Sequence, residues 1–265
     1  MIRLEDKVVW VTGATSGIGK ALVKELSERH AKLIISSRRE EELRHLKNSI
    51  NRDSEDIFIA PLDLENEASI LSAYQSASKH FPRIDILFNN GGISQRGFAL
   101  ETPIEVDRRI MEIDFLGQVY LTKLVLPGMV KDGFGAIGVT SSLTGKFSTP
   151  YRTAYAAAKH ALHGFFDGLR AEMVGKGVQV TIFCPGFIKT DISMNALTES
   201  GEKLKKMDHA QANGMTAEEC ARQMISALIK GKREVYIGGK ETLGIYVKRF
   251  FPGLMAKIIT TAKVR

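Results

Sequence analysis

The chain has 265 residues, 44% of them hydrophobic, and a formal net charge of +7. This size and apolar content suffice for one domain with a substantial core, and no repeat or low-complexity run indicates a repeat protein. The excess positive charge belongs to the C-terminal end, because no acidic residue follows Glu241 and five cations do: Lys248, Arg249, Lys257, Lys263 and Arg265. Charge confined to one end predicts no nucleic-acid partner.

Cysteine and histidine content and the N-terminus narrow the class further. Cys184 and Cys220 are too few for a disulfide scaffold, and no cysteine or histidine cluster has metal-ligand spacing, so we expect no metal. His160 and His163 are interpreted as surface or packing residues. Residues 1–7 lead directly into a strand, without a signal peptide or membrane span, which predicts a cytoplasmic location.

Short β-branched runs alternate with longer amphipathic segments along the chain. The runs predict strands at 8–12, 33–36, 57–60, 84–89, 136–141, 178–184 and 234–237. The segments between them predict helices that include 20–30, 69–79, 103–130 and 153–174. The sequence therefore predicts an α/β fold, a single-domain Rossmann-type doubly wound sheet of seven parallel strands with helices on both faces. Ligands of such sheets bind beyond the carboxyl ends of the strands.

The first predicted strand runs into a glycine-rich turn and then a helix. The turn has the spacing G-x-x-x-G-x-G, and its glycines let backbone amides approach a pyrophosphate at the helix N-terminus. The alternative, a tight turn that needs positive φ, hardly requires three glycines in seven residues. We therefore predict dinucleotide binding by Gly13, Thr15, Ser16, Gly17, Ile18 and Gly19.

The second predicted strand ends in Ser37 and Arg38. An NAD site usually places an acidic side chain here for the ribose 2′-hydroxyl, whereas a 2′-phosphate favours arginine. Alternatively, Arg38 and Arg39 are a solvated pair before the acidic run 40–42. We expect NADP, with NAD less favoured.

Three polar residues near the middle of the chain form a candidate proton-transfer group. Tyr155 and Lys159 stand at i and i+4 of a predicted helix, so both side chains leave the same face. An ammonium close to a phenol lowers the phenol's pKa from its ordinary value of about 10 by roughly 1 to 3 units. Ser142 follows a strand and can hold a substrate oxygen beside the phenol. The alternative is a half-buried aromatic beside a solvated cation.

These motifs together make the chain resemble a classical short-chain dehydrogenase/reductase over residues 4–240. The resemblance implies that Ser142, Tyr155 and Lys159 are catalytic and that Lys159 also holds the nicotinamide ribose. It also implies further cofactor contacts and a homodimer or homotetramer built through the helices after Pro103 and Thr153. These contacts are Asp63 and Leu64 on the adenine side, Asn90 and Gly91 in a turn reading N-N-G-G, and Pro185, Gly186, Ile188 and Thr190 around the nicotinamide.

One position departs from the family pattern. Where the family has an asparagine that seats a water on the proton path to the lysine, this chain has Asp114. An ionised carboxylate cannot donate a hydrogen bond and places negative charge near Lys159. Asp114 either stabilises the lysine cation and keeps the water, or slows turnover, or only bonds backbone groups. We expect activity to be retained, with Asp114 part of the catalytic set.

The resemblance places a substrate lid at about 191–216, inside a catalytic domain of residues 1–241. The lid mixes apolar residues with charges, which favours a lipophilic carbonyl or alcohol and indicates no acidic or sugar-like substrate. Residues 242–265 form a basic amphipathic extension with two apolar rows, interrupted at Pro252. This extension packs on the domain or a partner subunit, guards an apolar pocket, or lies on an anionic membrane.

The sequence thus predicts an NADP(H)-dependent oxidoreductase that moves a hydride between the nicotinamide and a carbonyl or secondary alcohol of a small molecule. Tyr155 is the predicted acid/base, Ser142 orients the substrate oxygen, and Lys159 assists the phenol. Two alternatives stay open. One is an NADP(H) sensor without turnover, which Asp114 motivates, and the other is a membrane-peripheral adaptor that uses the C-terminal extension.

Overall fold

The computed structural model describes residues 2–51 and 53–261. Seven parallel strands form one sheet in the order β3-β2-β1-β4-β5-β6-β9, which confirms the predicted fold class. Their bounds are β1 Val8–Thr12, β2 Lys32–Ser36, β3 Ile57–Ile59, β4 Ile86–Asn89, β5 Gly135–Thr140, β6 Val178–Pro185 and β9 Glu234–Ile237. Two short strands, β7 Ile188–Lys189 and β8 Met215–Thr216, pair outside this sheet.

Helices cover both faces of the sheet, so the central strands are buried on both sides and read as continuous apolar runs. Along β1, Val9 and Val11 join one core while Trp10 joins the other, as the alternation of a strand requires. The helices are α1 Gly17–Glu28, α2 Glu40–Asn48, α3 Glu67–His80, α4 Ile104–Met111, α5 Gly117–Lys131, α6 Thr153–Glu172, α7 His209–Ala212, α8 Ala217–Ile229, α9 Gly244–Phe250 and α10 Pro252–Thr260. Helices α1, α2 and α8 contribute to the first core, and α3, α5 and α6 to the second.

The strand order reverses between β1 and β4, which are neighbours in the sheet although two strands lie between them in sequence. The loops after such strands diverge to opposite faces and leave a crevice at their carboxyl ends. The glycine turn, Arg38, Asn90 and Ser142 each follow a strand and lie at these carboxyl ends, whereas Tyr155 and Lys159 lie on α6. The predicted site residues therefore come from strand ends and from helices.

The helix predicted over 103–130 is divided in the structure. A π-helical turn, Glu112–Leu116, separates α4 from α5. Such turns shift the helical register and often occur at functional sites. The whole stretch 104–131 is long and apolar enough by composition to cross a membrane, but half of its most apolar window is buried, and Ile110, Leu121 and Val125 lie in the core.

The described part of the C-terminal extension, residues 242–261, contains α9 and α10, with the break at Phe251 and Pro252 where the sequence predicts an interruption; Lys263 and Arg265 lie outside the described residues. Proline lacks a backbone N–H but is well suited to the first turn of a helix, so α10 begins there. The two predicted apolar rows have different environments. The first row, Tyr246, Phe250, Leu254 and Ile258, is exposed, although Ile258 also lines a cavity. In the second row, Val247, Met255 and Ile259 line that cavity and Phe251 is exposed.

Candidate active site

The glycine turn joins β1 to α1 and has a backbone that only glycine adopts easily. Gly13 has φ +66° and Gly17 has φ +51°. A Cβ at Gly19 would lie 2.1 Å from the carbonyl oxygen of Gly13, so the turn also needs glycine for its packing. The first turn of α1 carries no acidic residue, which leaves its N-terminus available to an anion. This cradle suits the phosphates of a dinucleotide.

Asn90 holds three strand ends together behind this cradle. Its side-chain nitrogen donates to the Thr12 carbonyl oxygen at 3.1 Å, and its side-chain oxygen accepts from the Thr140 hydroxyl at 3.3 Å. The Thr12 hydroxyl accepts from the backbone amides of Asn90 at 3.0 Å and Gly91 at 2.9 Å. These bonds fix the ends of β1, β4 and β5 relative to one another.

A cavity of about 730 Å³ extends from the glycine turn past the end of β2. Of the predicted cofactor residues it is lined by Gly13, Thr15, Ser16, Ser37, Arg38, Asp63, Leu64 and Gly91. Its lining also includes four cations that were not predicted as contacts: Arg39, Arg109, Lys203 and Lys205. Set against these cations and Arg38 are two carboxylates, Asp63 and Glu202.

Arg39, which was not predicted as a cofactor contact, bonds directly to the glycine turn. Its Nη2 donates to the Thr15 hydroxyl at 2.9 Å, and its Nη1 lies 2.6 Å from Oε1 of Glu42. The sequence signal was present, since Arg39 adjoins Arg38, but a strand end alone does not show which of two successive side chains turns toward the cleft.

A second cleft of about 190 Å³ contains the predicted proton-transfer residues. Ser142, Tyr155 and Lys159 line it together. So do the predicted cofactor residues Gly17, Ile18, Asn90, Pro185, Gly186, Ile188 and Thr190. Gly19 lines neither cavity and packs against Gly13 and Asn90 within the turn. Residues of the glycine turn and the predicted proton-transfer residues therefore line the same cleft.

Helix α6 places Tyr155 and Lys159 one turn apart, as their spacing predicts. The Lys159 ammonium lies 5.5 Å from the centroid of the Tyr155 ring and donates to the Thr140 carbonyl oxygen at 3.1 Å. Both side chains are at least nine-tenths buried. Ser142 accepts from the backbone amide of Thr144 at 3.2 Å. An ammonium at this range stabilises negative charge on a phenol oxygen.

Asp114 lies in the π-helical turn and is fully buried. Its Oδ1 accepts from the backbone amide of Ile93 at 2.7 Å, and its Oδ2 is 3.4 Å from the Lys159 ammonium. Burial raises the pKa of Asp114, while Lys159 and the Ile93 amide oppose this increase. The carboxylate is thus in direct ion-pair contact with the lysine.

Gln95 is a site residue that sequence reasoning missed. It is fully buried, and its side-chain oxygen accepts from the backbone amides of Ala154 at 2.9 Å and Tyr155 at 3.3 Å. Arg152, the residue that precedes α6, makes no side-chain cap, so Gln95 satisfies the first amides of this helix from another loop. A cap supplied from 59 residues away leaves no local sequence signal.

A third cavity, of about 390 Å³, adjoins the second cleft. Its apolar wall comes from the loop after β5 and from the C-terminal extension: Leu143, Phe147, Val247, Met255, Ile258 and Ile259. Ser142 and Tyr155 line this cavity as well as the cofactor cleft. Two arginines, Arg96 and Arg152, also reach its wall.

A buried polar cluster adjoins the end of β5, next to Ser142. The side chains of His163, Cys184 and Glu234 have potential ligand atoms within 4.8 Å of one another, a proximity that the sequence did not predict. However, the Lys146 ammonium lies 2.8 Å from Glu234, and burial raises the pKa of the Cys184 thiol. His163 Nε2 is 3.0 Å from the Ser141 hydroxyl, so the histidine links helix α6 to the end of β5. A packing role agrees with these contacts.

Known proteins with similar sequences agree with this geometry. Residues 7–201 match the family model described as short chain dehydrogenase. The mouse dehydrogenase/reductase SDR family member 7B is 38% identical over 263 residues, which cover 97% of this chain and 81% of that protein. The human dehydrogenase/reductase SDR family member 7 is 39% identical over 256 residues, which cover 94% of this chain and 76% of that protein.

Solved structures share the fold. A short-chain dehydrogenase/reductase from Burkholderia phymatum in complex with NAD superposes with a TM-score of 0.86 at 20% identity, covering 96% of each chain. A short-chain dehydrogenase from Burkholderia cenocepacia in complex with NADP has a TM-score of 0.80 at 24% identity, covering 98% of this chain and all of the other. The family model and the relatives show that this chain belongs to the classical short-chain dehydrogenase/reductase family and is an oxidoreductase acting on CH–OH and C=O groups.

Proposed function

We propose that this protein uses NADP(H) to interconvert a carbonyl and a secondary alcohol on a lipophilic small molecule. One observation supports this proposal above the others: Ser142 and Tyr155 line both the cofactor cleft and the apolar cavity. A substrate oxygen held by these two side chains would lie between the cofactor site and the apolar wall. The wall itself favours a lipophilic substrate.

In the reductive direction the residues have separate tasks. A bound nicotinamide supplies the hydride. Ser142 donates a hydrogen bond that orients the carbonyl oxygen, and Tyr155 gives its phenolic proton to that oxygen as negative charge develops. Lys159 stabilises the resulting phenolate by Coulombic attraction, and Asp114 holds the lysine in place through the buried ion pair.

The decisive test replaces the phenol. Tyr155→Phe removes the proton donor and keeps the ring, so turnover should fall by at least about 100-fold, the usual contribution of a general acid. NADPH binding should change little. Stopped-flow loss of NADPH absorbance against a panel of lipophilic ketones and aldehydes measures both. Wild-type turnover by the variant contradicts the mechanism, and a wild-type protein that binds NADPH without oxidising it is a sensor.

The choice of NADP rests on the charge of the adenosine-side cavity. Five cations line it against two carboxylates, and Arg39 approaches the glycine turn itself. Arginine recognises phosphate through paired hydrogen bonds. By resemblance, the 2′-phosphate lies near Ser37 and Arg38, and we add Arg39 to this group.

Replacing Arg39 by glutamine tests this assignment. The NADPH kcat/KM should fall by about 10- to 100-fold, as for a lost hydrogen bond to a charged group, with the NADH value nearly unchanged. Arg44→Gln is the matched control, because Arg44 is an exposed arginine of α2 paired with Glu40. Equal losses for NADPH and NADH, or equal preference in the wild type, contradict the assignment.

We also propose that the C-terminal extension contacts an anionic membrane surface. Its outer face exposes Tyr246, Phe250, Phe251, Leu254 and Ile258, each between 46% and 68%. Exposed cations flank this outer face at Lys248, Arg249 and Lys257, and residues 242–261 contain no acidic side chain. Apolar side chains ringed by cations suit the headgroup region of an anionic bilayer. Because α10 also lines the apolar cavity, a lipophilic substrate could enter from the bilayer.

Cosedimentation with vesicles tests this contact. The wild type should pellet with phosphatidylcholine vesicles that contain phosphatidylserine, and less with phosphatidylcholine alone. The double variant Phe250→Ser, Phe251→Ser should lose most of this binding. The control is Leu100→Ser, Val174→Ser, which removes two apolar side chains that are 98% and 80% exposed elsewhere. Equal pelleting of both double variants contradicts the proposal. A concentration-dependent dimer that is lost only in Phe250→Ser, Phe251→Ser would show that a second copy of this chain, and not a membrane, covers the outer face.

The remaining expectations stay proposals. Members of this family often form oligomers, and we propose a homodimer or homotetramer that light scattering after gel filtration can count. Gly164 and Gly168 on α6 face open space, which permits close approach of another helix. The cytoplasmic location and the division at residue 241 are retained as predictions.

A further inference from the structure

Two arginines lie on the wall of the apolar cavity, where hydrocarbon-like surface would be expected. Arg96 belongs to the loop after β4, and Arg152 directly precedes α6. Their side chains are only 2% and 12% exposed. Buried charges are costly unless they are paired, so these arginines need an explanation.

Arg96 is well satisfied. Its Nε and Nη2 both bond Oδ2 of Asp208, the Nε at 3.1 Å. Its Nη1 donates to the Ser94 hydroxyl at 2.8 Å and to the Gln95 carbonyl oxygen at 2.6 Å. Asp208 belongs to the lid segment, so this pair also ties the lid to the loop after β4.

Arg152 is poorly satisfied by comparison. Its Nη2 reaches the same Oδ2 of Asp208 at 3.4 Å, and its Nε is buried without a hydrogen-bond partner among the residues that the structure describes. Burial above all, together with the positive charge of Arg96, lowers the pKa of Arg152 to about 10, which still leaves it charged at neutral pH. Two guanidinium groups therefore share one carboxylate oxygen beside the cavity.

The other carboxylate on this wall does not balance the charge. Glu241 also lines the cavity, but its Oε1 accepts from the backbone amides of Phe187 at 3.1 Å and Gly239 at 3.0 Å. No ion pair between Glu241 and either arginine is found among the described residues. Among the described residues, the Arg152 guanidinium at this end of the cavity therefore has a 3.4 Å contact with Asp208 as its ion pair, and its Nε is unbonded.

We propose that Arg152, supported by Arg96, binds an anionic group, a carboxylate or phosphate, at one end of a lipophilic substrate. A guanidinium fork matches the oxygens of either group, and a desolvated site strengthens the pairing. The inference rests on the proposed function, because it describes the substrate of the same cavity. It narrows the substrate from any lipophilic carbonyl to a lipophilic oxo or hydroxy compound with an acidic group.

This differs from the expectation that the lid sequence raised, which indicated no acidic substrate. The lid sequence carries no signal for the two arginines, because both lie outside residues 191–216. Arg96 and Arg152 are 56 positions apart in the chain and meet through Asp208 of the lid.

Binding of unreactive probes tests the inference without requiring turnover. Isothermal titration of the NADP-saturated protein compares decanoate, decyl phosphate and decanol, which share one alkyl chain. The wild type should bind at least one of the two anions about 10- to 100-fold tighter than decanol, the range expected for hydrogen bonds to a charged group. The two anions distinguish carboxylate from phosphate recognition.

Two variants and one control assign the effect to Arg152. Arg152→Gln should remove the preference for the anion, and Arg152→Lys should restore part of it, since a lysine keeps the charge but loses the fork. Arg108→Gln is the control, because Arg108 is 73% exposed on α4 and its loss changes the net charge equally. Thermal unfolding verifies that each variant is folded.

The inference is overturned if decanol binds as tightly as both anions to the wild type, or if Arg108→Gln and Arg152→Gln weaken anion binding equally. These outcomes are separate from failure of the proposed function. A protein that binds the anions tightly but oxidises NADPH with no oxo acid keeps the anion site and lacks the proposed reaction. A protein that turns over neutral ketones and binds no anion keeps the reaction and lacks the site.

Discussion

Two buried ionic clusters lie near Tyr155, and they differ in balance. On the cofactor side, one cation meets one carboxylate: the Lys159 ammonium lies 3.4 Å from Asp114. On the substrate side, Arg96 and Arg152 both pair with Oδ2 of Asp208, and Arg152 does so only at 3.4 Å. The charged side chains of both clusters are at most 12% exposed, although each cluster borders a cleft, so each charge is stabilised best by something close to it.

The difference shows what each cluster is suited to do. Because Lys159 and Asp114 neutralise each other, this pair requires no charge from a ligand. The electrostatic potential that it produces at the Tyr155 phenol therefore does not depend on which substrate is bound. An unbalanced cluster is completed by a ligand, which suits the end of the cavity that would hold a substrate group. The comparison makes different predictions for the loss of a charge at each place.

The largest effect should follow the loss of Lys159. Lys159→Met leaves the fully buried Asp114 without a cation, so Asp114 must either stay charged without a partner or take up a proton, and breaking a buried pair in this way costs about 3–5 kcal/mol. The double variant Lys159→Met, Asp114→Asn should recover part of this loss, because asparagine carries neither cost. Urea unfolding of the four proteins in the cycle measures the coupling. Additive losses would mean that the two residues are not a unit.

A smaller effect should separate the two arginines of the substrate side. Arg96→Met leaves Asp208 with only the 3.4 Å contact to Arg152 and removes a side chain with many bonds, so we expect a loss of about 3 kcal/mol. Arg152→Met leaves the close Arg96–Asp208 pair intact and should cost less than about 1 kcal/mol. Urea unfolding measures both. An equal cost for the two variants would mean that the cluster is not unbalanced.

The parts of the site that were predictable have short-range signals. The glycine turn and the Tyr155–Lys159 spacing depend on neighbours in sequence and on the helix period, so both appeared before the fold was known. The family resemblance added Asp63 and Thr190, which line the predicted clefts. The sequence also located the anomaly at Asp114, although its contact with Lys159 joins separate helical elements.

The parts that were not predictable depend on contacts between distant segments. Gln95 caps α6 from the loop after β4, and Asp208 gathers Arg96 and Arg152 from different elements. None of these residues has a spacing that distinguishes it from an ordinary surface residue. The π-helical turn was also missed, because the apolar pattern of 103–130 reads as one helix whether or not one turn is widened.

A third cluster, around Glu234, sharpens the comparison by its pH dependence. Burial alone would raise the pKa of Glu234, but the hydrogen bonds from His163, Lys146 and Tyr236 lower this pKa from 4.5 to about 2. A lowered folded-state pKa gives stability that is present above pH 4.5 and lost as pH falls toward 2. The wild type should therefore exceed Glu234→Gln in stability by about 1 kcal/mol at pH 6, allowing for partial solvent screening.

Urea unfolding at several pH values measures this difference. The advantage of the wild type over Glu234→Gln should shrink as the pH is lowered through this window. Glu219→Gln is the control, since Glu219 is also paired with an arginine but is exposed on α8. A pH-independent difference for Glu234→Gln would contradict the charged contacts described for this cluster.

Asp114→Asn should have the smallest effect on stability, and its pH dependence should be opposite in sign to that of Glu234→Gln. Burial raises the pKa of Asp114 above 3.8, so its contribution to stability is greatest below that pH and declines as pH rises through the folded-state pKa. Asparagine has no such dependence, and the variant should therefore gain on the wild type as the pH rises from about 4 to 7.

At pH 7 the stability of Asp114→Asn should lie within about 1 kcal/mol of the wild type, because Lys159 keeps its bond to Thr140 and lines the cofactor cleft, where water can reach it. Turnover should be retained, since asparagine is nearly isosteric with aspartate and can still accept from the Ile93 amide. If a folded Asp114→Asn protein has lost turnover, Asp114 does more than hold the lysine.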